Sequence, residues 1–148
     1  SNQINIYMNK PNEDFASWHK TEMAIRFADL DKLAHVNNAK YLTYMETARI
    51  EYFLDAVGEE VNWSENGIIL AKIVVDFIAP LNLDDRTVAV YTKCSRIGSK
   101  SFDLSYVIVK TKSRAIAAKG ITTMVCYNYK EKATILIPGE WIEKLKEN

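Results

Sequence analysis

Alternating apolar and polar positions predict β-strands along most of the chain. Where apolar and polar residues alternate, successive side chains point to opposite faces, as in a half-buried strand. The pattern covers residues 19–28, 68–79, 87–97, 101–112 and 115–127. Pro80 and Gly98 end two of these stretches. The short turns between the last three strands favour antiparallel pairing of neighbours.

One long segment departs from this pattern and predicts a helix over residues 38–57. Apolar side chains recur there at helical spacing and share one helix face: Tyr41, Met45, Ala48 and Tyr52. Asn37 or Asn38 can cap the first turn, because an asparagine side chain accepts hydrogen bonds from free N–H groups. Gly58 stands where the helix is expected to end.

The order of these elements predicts an α+β fold. One strand, one long helix and then four strands indicate an antiparallel sheet wrapped around the central helix. The 148 residues are expected to form a single domain. Residues 1–17 indicate an N-terminal arm or an extra edge strand, and a short helix near residues 140–146 closes the chain.

Charge and cysteine usage exclude several classes of function. The 19 basic and 19 acidic residues balance and are mixed along the chain, which argues against nucleic acid as the main partner. No run approaches the roughly 18 apolar residues of a membrane-spanning helix, and no leader sequence opens the chain, so no membrane association is expected. Cys94 and Cys126 lie in apolar alternating runs and are expected to be reduced core residues in the cytoplasm.

The chain also lacks the motifs of several enzyme classes. Its cysteines do not have metal-ligand spacing, so neither a metal nor a cofactor is expected. No Gly-rich phosphate loop and no Gly-x-Ser-x-Gly motif occurs, which argues against nucleotide hydrolysis and serine-hydrolase chemistry.

Polar and titratable side chains crowd into the loop just before the helix. They are Asp29, Asp31, His35, Asn37 and Asn38. A helix N-terminus carries partial positive charge and free N–H groups, so it can stabilise an oxyanion. The backbone N–H groups of Asn38 and Ala39 are the candidates for that role. Asp31 is the candidate nucleophile or general base, and its structural alternative is to cap the helix or to satisfy a turn.

The same stretch resembles the signature of the hotdog-fold acyl thioesterases. The matching segments are Leu30-Asp31, residues 35–42 from His35 to Leu42, and residues 46–49 from Glu46 to Arg49, with further matches at residues 76–80 and 96–102. The resemblance covers about residues 20–138. It is closest to the bacterial long-chain acyl-CoA thioesterases and the plant acyl-carrier-protein thioesterases, with the 4-hydroxybenzoyl-CoA thioesterases more distant.

The resemblance implies a hotdog fold and hydrolysis of an acyl-CoA thioester to free acid and CoA. It also implies a homo-oligomer, a dimer or tetramer, with active sites between subunits. In the wider family the aspartate at the position of Asp31 performs catalysis, directly or through water. His35 is the second catalytic candidate. The plant enzymes have an asparagine where this chain has Leu33, and the 4-hydroxybenzoyl branch has a glycine where it has Ala34, so neither branch's site transfers unchanged.

Other residues are candidates for supporting roles. Asn37 is expected to hold the loop, and Tyr41 to be a core residue with its hydroxyl near the site. Glu46 is the alternative catalyst, because some hotdog thioesterases take their carboxylate from this helix. It can otherwise pair with Arg49 across one turn. The candidates for binding the CoA phosphates are Arg96, Lys100 and Ser101 around Gly98.

Two other functions remain open from the sequence. One is a hotdog hydratase or dehydratase, which would need an acid–base pair at the acyl chain rather than at the carbonyl. The other is a non-catalytic module that binds acyl-CoA on the same fold. The sequence leaves open the acyl-chain length, the choice between CoA and a carrier protein, and the pathway.

Overall fold

The computed structural model describes residues 14–148. Strand bounds are β1 (His19–Ala24), β2 (Gly67–Phe77), β3 (Thr87–Ile97), β4 (Ser101–Lys110), β5 (Ile116–Asn128) and β6 (Ala133–Thr134). The helices are α1 (Asn38–Val57) and α2 (Gly139–Glu147). The predicted long helix and strand order are confirmed.

The strands form one antiparallel sheet in the order β1-β3-β4-β5-β2, with β6 paired to β5. Helix α1 lies against one face of this sheet. Its fully buried side chains, such as Met45 and Ala48, pack against inner-face residues of the strands, such as Leu104 and Ile108. This arrangement confirms the predicted α+β fold with one central helix.

The first strand is shorter than the alternation predicted. It ends at Ala24, and a 3₁₀ turn follows over Phe27–Asp29. The turn forms because Oδ2 of Asp29 accepts the N–H of Arg26 at 3.0 Å, which draws the backbone out of the extended conformation. Of the predicted N-terminal arm, residues 1–13 lie outside the described residues, and Phe15–Ser17 is a 3₁₀ turn.

Helix α1 begins and ends at the predicted residues. Oδ1 of Asn37 accepts the N–H of Ala39 at 2.9 Å, and Gly58 follows the last turn with a φ of 106°. In the middle of the helix, Met45 packs onto Gly120 of β5. A Cβ atom at Gly120 would lie 2.6 Å from the Sδ of Met45, so the glycine permits this close contact between helix and sheet.

Helix α2 closes one end of the space between α1 and the sheet. Trp141 is buried and meets the ring of Phe53 edge-to-face, with 5.0 Å between ring centroids. The hydroxyl of Tyr52 donates to the backbone oxygen of Asn148 at 2.8 Å, which fixes the end of the chain.

Both cysteines are free thiols; Cys126 is buried and Cys94 is half-buried. No helix within residues 14–148 is long and apolar enough to cross a membrane.

Candidate active site

The loop between β1 and α1 is joined to itself by backbone hydrogen bonds. The N–H of Asp31 donates to the oxygen of His35 at 2.8 Å, and the N–H of Asn37 donates to the oxygen of Asp29 at 2.9 Å. Ala34 makes the turn between them with a φ of 60°. The loop therefore folds back on itself and brings Asp31, His35 and the helix N-terminus to one place.

The segment that follows β2 supports this loop from the side. The N–H of Val36 donates to the oxygen of Leu81 at 2.8 Å, and His35 forms a β-bridge with Asn82. Tyr41 adds to this contact, because its buried hydroxyl donates to the oxygen of Ala79 at 3.3 Å and accepts the N–H of Leu81 at 3.1 Å. Burial raises the pKa of the Tyr41 phenol. Tyr41 is therefore a core residue, as expected, and its hydroxyl holds the support of the loop.

The Asp31 carboxylate is oriented by two backbone donors. Its Oδ1 accepts the N–H of Leu33 at 2.9 Å and the N–H of His35 at 3.2 Å. Within residues 14–148, Oδ2 of Asp31 has no hydrogen-bond or ion-pair partner, and the side chain is exposed. One oxygen is therefore held in place while the other is available to a ligand.

The His35 side chain is also exposed, and its ring has no partner among the described residues. Its backbone lies beside Asp31 through the two hydrogen bonds described above. The structure thus brings both predicted catalytic residues together, with His35 free to turn toward a ligand.

The N–H group of Asn38, the first residue of α1, is not engaged by the helix cap. The N–H of Ala39 donates to Oδ1 of Asn37, and the N–H of Lys40 donates to the Asn37 backbone oxygen at 2.8 Å. In the described part of the chain, no acceptor is recorded for the N–H of Asn38. Of the two predicted oxyanion-hole donors, the structure therefore leaves Asn38 unengaged and commits Ala39 to the cap that Asn37 provides.

Asp29 supports the site in a way that its position in the sequence does not predict. It is 1% exposed, and its Oδ2 accepts the hydroxyl of Tyr44 at 2.7 Å. The Nη2 of Arg26 lies 3.6 Å and the Nζ of Lys40 4.0 Å from its Oδ1. A buried tyrosine hydroxyl needs a hydrogen-bond partner, so Tyr44 of α1 could have indicated this contact.

The environment of Asp29 favours its charged form. Burial alone disfavours a carboxylate, but the N–H of Arg26 and the hydroxyl of Tyr44 bond to it, and the Arg26 and Lys40 cations lie nearby. Together these hold the pKa of Asp29 below its ordinary value. Burial and the adjacent Asp29 carboxylate raise the pKa of Tyr44. A charged aspartate and a neutral tyrosine thus connect the loop to the helix.

Glu46 and Arg49 do not form the pair that their spacing predicts. Glu46 is exposed, and within residues 14–148 no ion pair joins it to Arg49. The Nη1 of Arg49 instead donates to the Tyr106 hydroxyl at 3.3 Å, and that hydroxyl lies 2.8 Å from Oγ1 of Thr122. Glu46 is therefore available at the surface of the helix, two turns beyond the free N–H of Asn38.

An apolar cavity of about 490 Å³ opens between α1 and the sheet, on the side of β2. Glu46 and Arg49 line it at the end nearer the start of the helix. The remaining walls are apolar: Ile50, Phe53, Leu54, Trp63, Ile68, Leu70, Phe102, Leu104 and Met124. Its volume lies within the range of about 300–1,000 Å³ common for ligand pockets. Local sequence patterns do not predict this cavity, because separate segments of the chain form its walls.

The predicted CoA-binding residues lie at the turn between β3 and β4. The Arg96 guanidinium bonds to both oxygens of Asp103, at 2.8 and 3.1 Å, and to Oγ of Ser101 at 2.9 Å. Lys100 is exposed at the tip. Lys100 is thus the more accessible of the two candidate cations.

Within one protomer this turn lies far from Asp31. Ala24 pairs with Thr87 at the start of β3, which places the Asp31 loop at that end of the sheet. The turn is at the other end of β3, about 30 Å away at the usual rise of a strand. One protomer therefore does not bring the predicted catalytic and CoA-binding residues together.

Comparisons with known proteins bear on the family of this chain. The family model described as the thioesterase-like superfamily matches residues 25–145. The long-chain acyl-CoA thioesterase FadM of Escherichia coli K12 is 27% identical over 86% of this chain and 97% of its own length. The chloroplastic acyl-acyl carrier protein thioesterase ATL2 of Arabidopsis thaliana is 30% identical over 76% of this chain, which spans 62% of the plant protein.

A solved structure supports the fold at the level of coordinates. A Thermus thermophilus thioesterase in complex with coenzyme A and zinc superposes with a TM-score of 0.75 and 29% identity, over 86% of this chain and 91% of that one. The resemblance drawn from the loop and helix motif is thereby confirmed. With a family match over most of its length and the same fold, the chain belongs to the thioesterase-like superfamily.

Proposed function

We propose that this protein hydrolyses the thioester of an acyl-CoA, with Asp31 as the catalytic carboxylate and the N–H of Asn38 as oxyanion donor. The observation that carries the proposal is the pairing of a free Oδ2 on an oriented Asp31 with an unengaged N–H at the start of α1. An acyl-CoA is the substrate that suits both this pair and the neighbouring apolar cavity. The membership of the thioesterase-like superfamily supports the same reaction.

The chemistry needs little beyond these two groups. The thioester carbonyl oxygen accepts the Asn38 N–H, and the partial positive charge of the helix N-terminus stabilises the developing oxyanion. Oδ2 of Asp31 either takes a proton from the water that attacks the carbonyl carbon, or attacks that carbon itself and expels the thiolate. In the second route water then cleaves the acyl–aspartate anhydride, which releases the free acid and restores Asp31. A thiolate leaves readily, so no strong general acid is required. His35 orients the water or the carbonyl.

A homo-oligomer would complete this site. β2 is an edge strand of the described sheet and carries exposed apolar residues such as Leu70 and Phe77. Such an edge is a template for pairing with a second chain. Antiparallel pairing of β2 with the same strand of a second copy would place the Gly67 end of one beside the Phe77 end of the other. Lys100 of the second copy would then approach the Asp31 loop and could bind a CoA phosphate.

The cavity would receive the acyl chain, and two free thiols suit a reducing compartment such as the cytoplasm. The choice between CoA and a carrier protein depends on contacts outside the acyl chain. Activity on acyl-CoA and on the same acyl group attached to a carrier protein, measured side by side, would decide it.

The test of the catalytic assignment is Asp31→Asn. We expect it to keep the fold and acyl-CoA binding and to lose about a hundredfold or more in kcat, the scale for a positioned base. Asp14→Asn is the matched control, because Oδ1 of Asp14 also accepts an N–H two residues ahead, from Ala16 at 3.0 Å. The assay is thiol release from acyl-CoA.

Two further variants separate the alternatives. His35→Ala should lose less activity than Asp31→Asn, and Glu46→Gln should keep most of it. If Asp31→Asn turns over at the parent rate while Glu46→Gln does not, the catalytic carboxylate lies on the helix and the assignment is wrong. If the wild-type protein binds acyl-CoA but releases no thiol, it is a binding module.

A further inference from the structure

The cavity beside α1 ends in a cluster of aromatic rings. The Phe53 ring lies 5.4 Å from Trp63, 6.4 Å from Phe102 and 5.0 Å from Trp141, between ring centroids. Phe53, Phe102 and Trp141 are buried, so they form the fixed back of this end. Trp63 is 44% exposed and comes from the loop between α1 and β2. Of the four rings, it is therefore the one that lies at the solvent side of this end of the cavity.

One face of α1 connects the proposed oxyanion donor with this cluster. Asn38, Leu42, Glu46 and Phe53 follow one another at helical spacing along one face of α1, and of these Glu46 and Phe53 line the cavity. From Asn38 to the cavity mouth at Glu46 is about 12 Å, and to Phe53 about 22 Å, at the rise of 1.5 Å per residue. An extended chain advances about 1.2 Å per atom, by comparison with the polypeptide backbone.

These two distances along α1 separate acyl chains that are too short to enter the cavity, chains that fill it and chains that are longer than it. A chain held by its carbonyl at Asn38 reaches the cavity mouth after about 10 atoms and the aromatic end after about 18. Shorter chains leave the apolar walls exposed to water, and each added methylene that enters the cavity buries more apolar surface. Longer chains meet the Trp63 ring.

We propose that Trp63 is the specificity-determining residue that sets the upper limit of acyl-chain length. This inference rests on the proposed function, because the carbonyl position comes from the Asn38 site. Trp63 acts by closing the outer wall of the cavity, which Phe53 and Trp141 cannot do from their buried positions. Removal of its ring extends the aromatic end of the cavity toward solvent and makes room for a longer chain.

The experiment compares saturated acyl-CoAs of about 8 to 22 carbons with wild-type, Trp63→Ala and Trp63→Phe proteins. Wild-type kcat/KM should rise once chains exceed about 10 carbons and fall beyond about 18. In Trp63→Ala the ratio of kcat/KM for the longest chain to that for a chain of about 12 carbons should rise about tenfold. Trp63→Phe keeps an aromatic wall and should keep the wild-type profile.

Binding provides a second readout that does not need turnover. S-alkyl-CoA thioethers of the same lengths are not hydrolysed, and calorimetry of their binding should show the same shift in Trp63→Ala. Trp18→Ala is the matched control: Trp18 lies under Nζ of Lys93, 5.8 Å from its ring centre, and does not line the cavity. Its length profile should equal that of the wild type.

The outcomes distinguish this inference from the proposed function. A folded Trp63→Ala protein with an unchanged length profile, or with a shift toward shorter chains, overturns the inference while acyl-CoA hydrolysis stands. A second outcome is that the wild type hydrolyses no acyl-CoA, yet Trp63→Ala still prefers longer S-alkyl-CoA thioethers than the wild type does. In that case Trp63 does limit the length of the bound chain, and the proposed reaction is wrong.

Discussion

The hydroxyl of Tyr44 donates a 2.7 Å hydrogen bond to Oδ2 of Asp29, deep between helix α1 and the loop that precedes it. Asp29 is followed two residues later by Asp31, and its backbone oxygen accepts the N–H of Asn37 at the helix start. This contact therefore holds the proposed catalytic carboxylate and the oxyanion donor on one rigid support. Neither Tyr44 nor Asp29 needs to touch the substrate to do so.

Replacement of this tyrosine should cost stability. Tyr44→Phe removes one of the two hydrogen bonds to Oδ2 of the buried Asp29 and leaves the one from the N–H of Arg26. Loss of a hydrogen bond to a charged group typically costs about 1.5–3 kcal/mol. The free energy of unfolding from urea denaturation measures the loss. Tyr129→Phe is the control, because this exposed phenol has no hydrogen bond within the described residues and should change little. Equal stability of both variants would show that the contact contributes nothing.

Asp29 should make the fold sensitive to acid. Its pKa is lowered in the folded protein, so its stabilising contribution is fully present above the unfolded aspartate pKa of about 3.9 and is lost as pH falls through the lower folded value. We expect Asp29→Asn to lower the free energy of unfolding near neutral pH. The difference from wild type should shrink below about pH 4. Urea denaturation across this range tests the sign, and a difference that grows on acidification would contradict it.

The close contact of Met45 with Gly120 should appear as energetic coupling. Gly120→Ala places a methyl group against the Met45 sulfur and should cost about 1–3 kcal/mol. Met45→Ala alone should cost about 2–5 kcal/mol through the cavity it leaves. In the double variant the new methyl group has room, so the loss in the free energy of unfolding should be smaller than the sum. Additive losses would mean that the two residues do not compete for space.

A carboxylate on the open side of α1 should disrupt the oligomer. We expect wild-type protein at micromolar concentration to sediment as a dimer or tetramer. Ile50 is 52% exposed in the protomer and borders the cavity beside β2. Ile50→Asp would place an unpaired charge beside the β2 edge through which two copies are proposed to pair, and it should shift the protein toward monomer.

The control for the oligomer is Thr47→Asp, at an exposed position of the same helix on the side of β1, the opposite edge of the sheet from β2. It should sediment as the wild type does. A monomeric wild-type protein with full thioesterase activity would count against a site shared between subunits.

Local patterns in the sequence were sufficient to predict the long helix, the order of the strands along the chain and which residues form the loop before the helix. The recurrence of Tyr41, Met45 and Ala48 determines which face of α1 is buried, because helical geometry relates only neighbours three or four residues apart. Asp31 and His35 meet for the same reason, since only three residues separate them in a loop with paired ends. Periodicity could not predict the end of β1, because hydrogen bonds between Arg26 and Asp29 turn the chain there.

Contacts between distant segments were decided only by the tertiary structure. Arg49 bonds to Tyr106, 57 residues away, rather than to the nearby Glu46. Arg96 is committed to Asp103, and the turn that carries it lies at the opposite end of the sheet from Asp31. The cavity ends at Trp63 because the loop after α1 returns against Phe53. Sheet pairing brings such residues together across long separations, and no local pattern encodes how they meet.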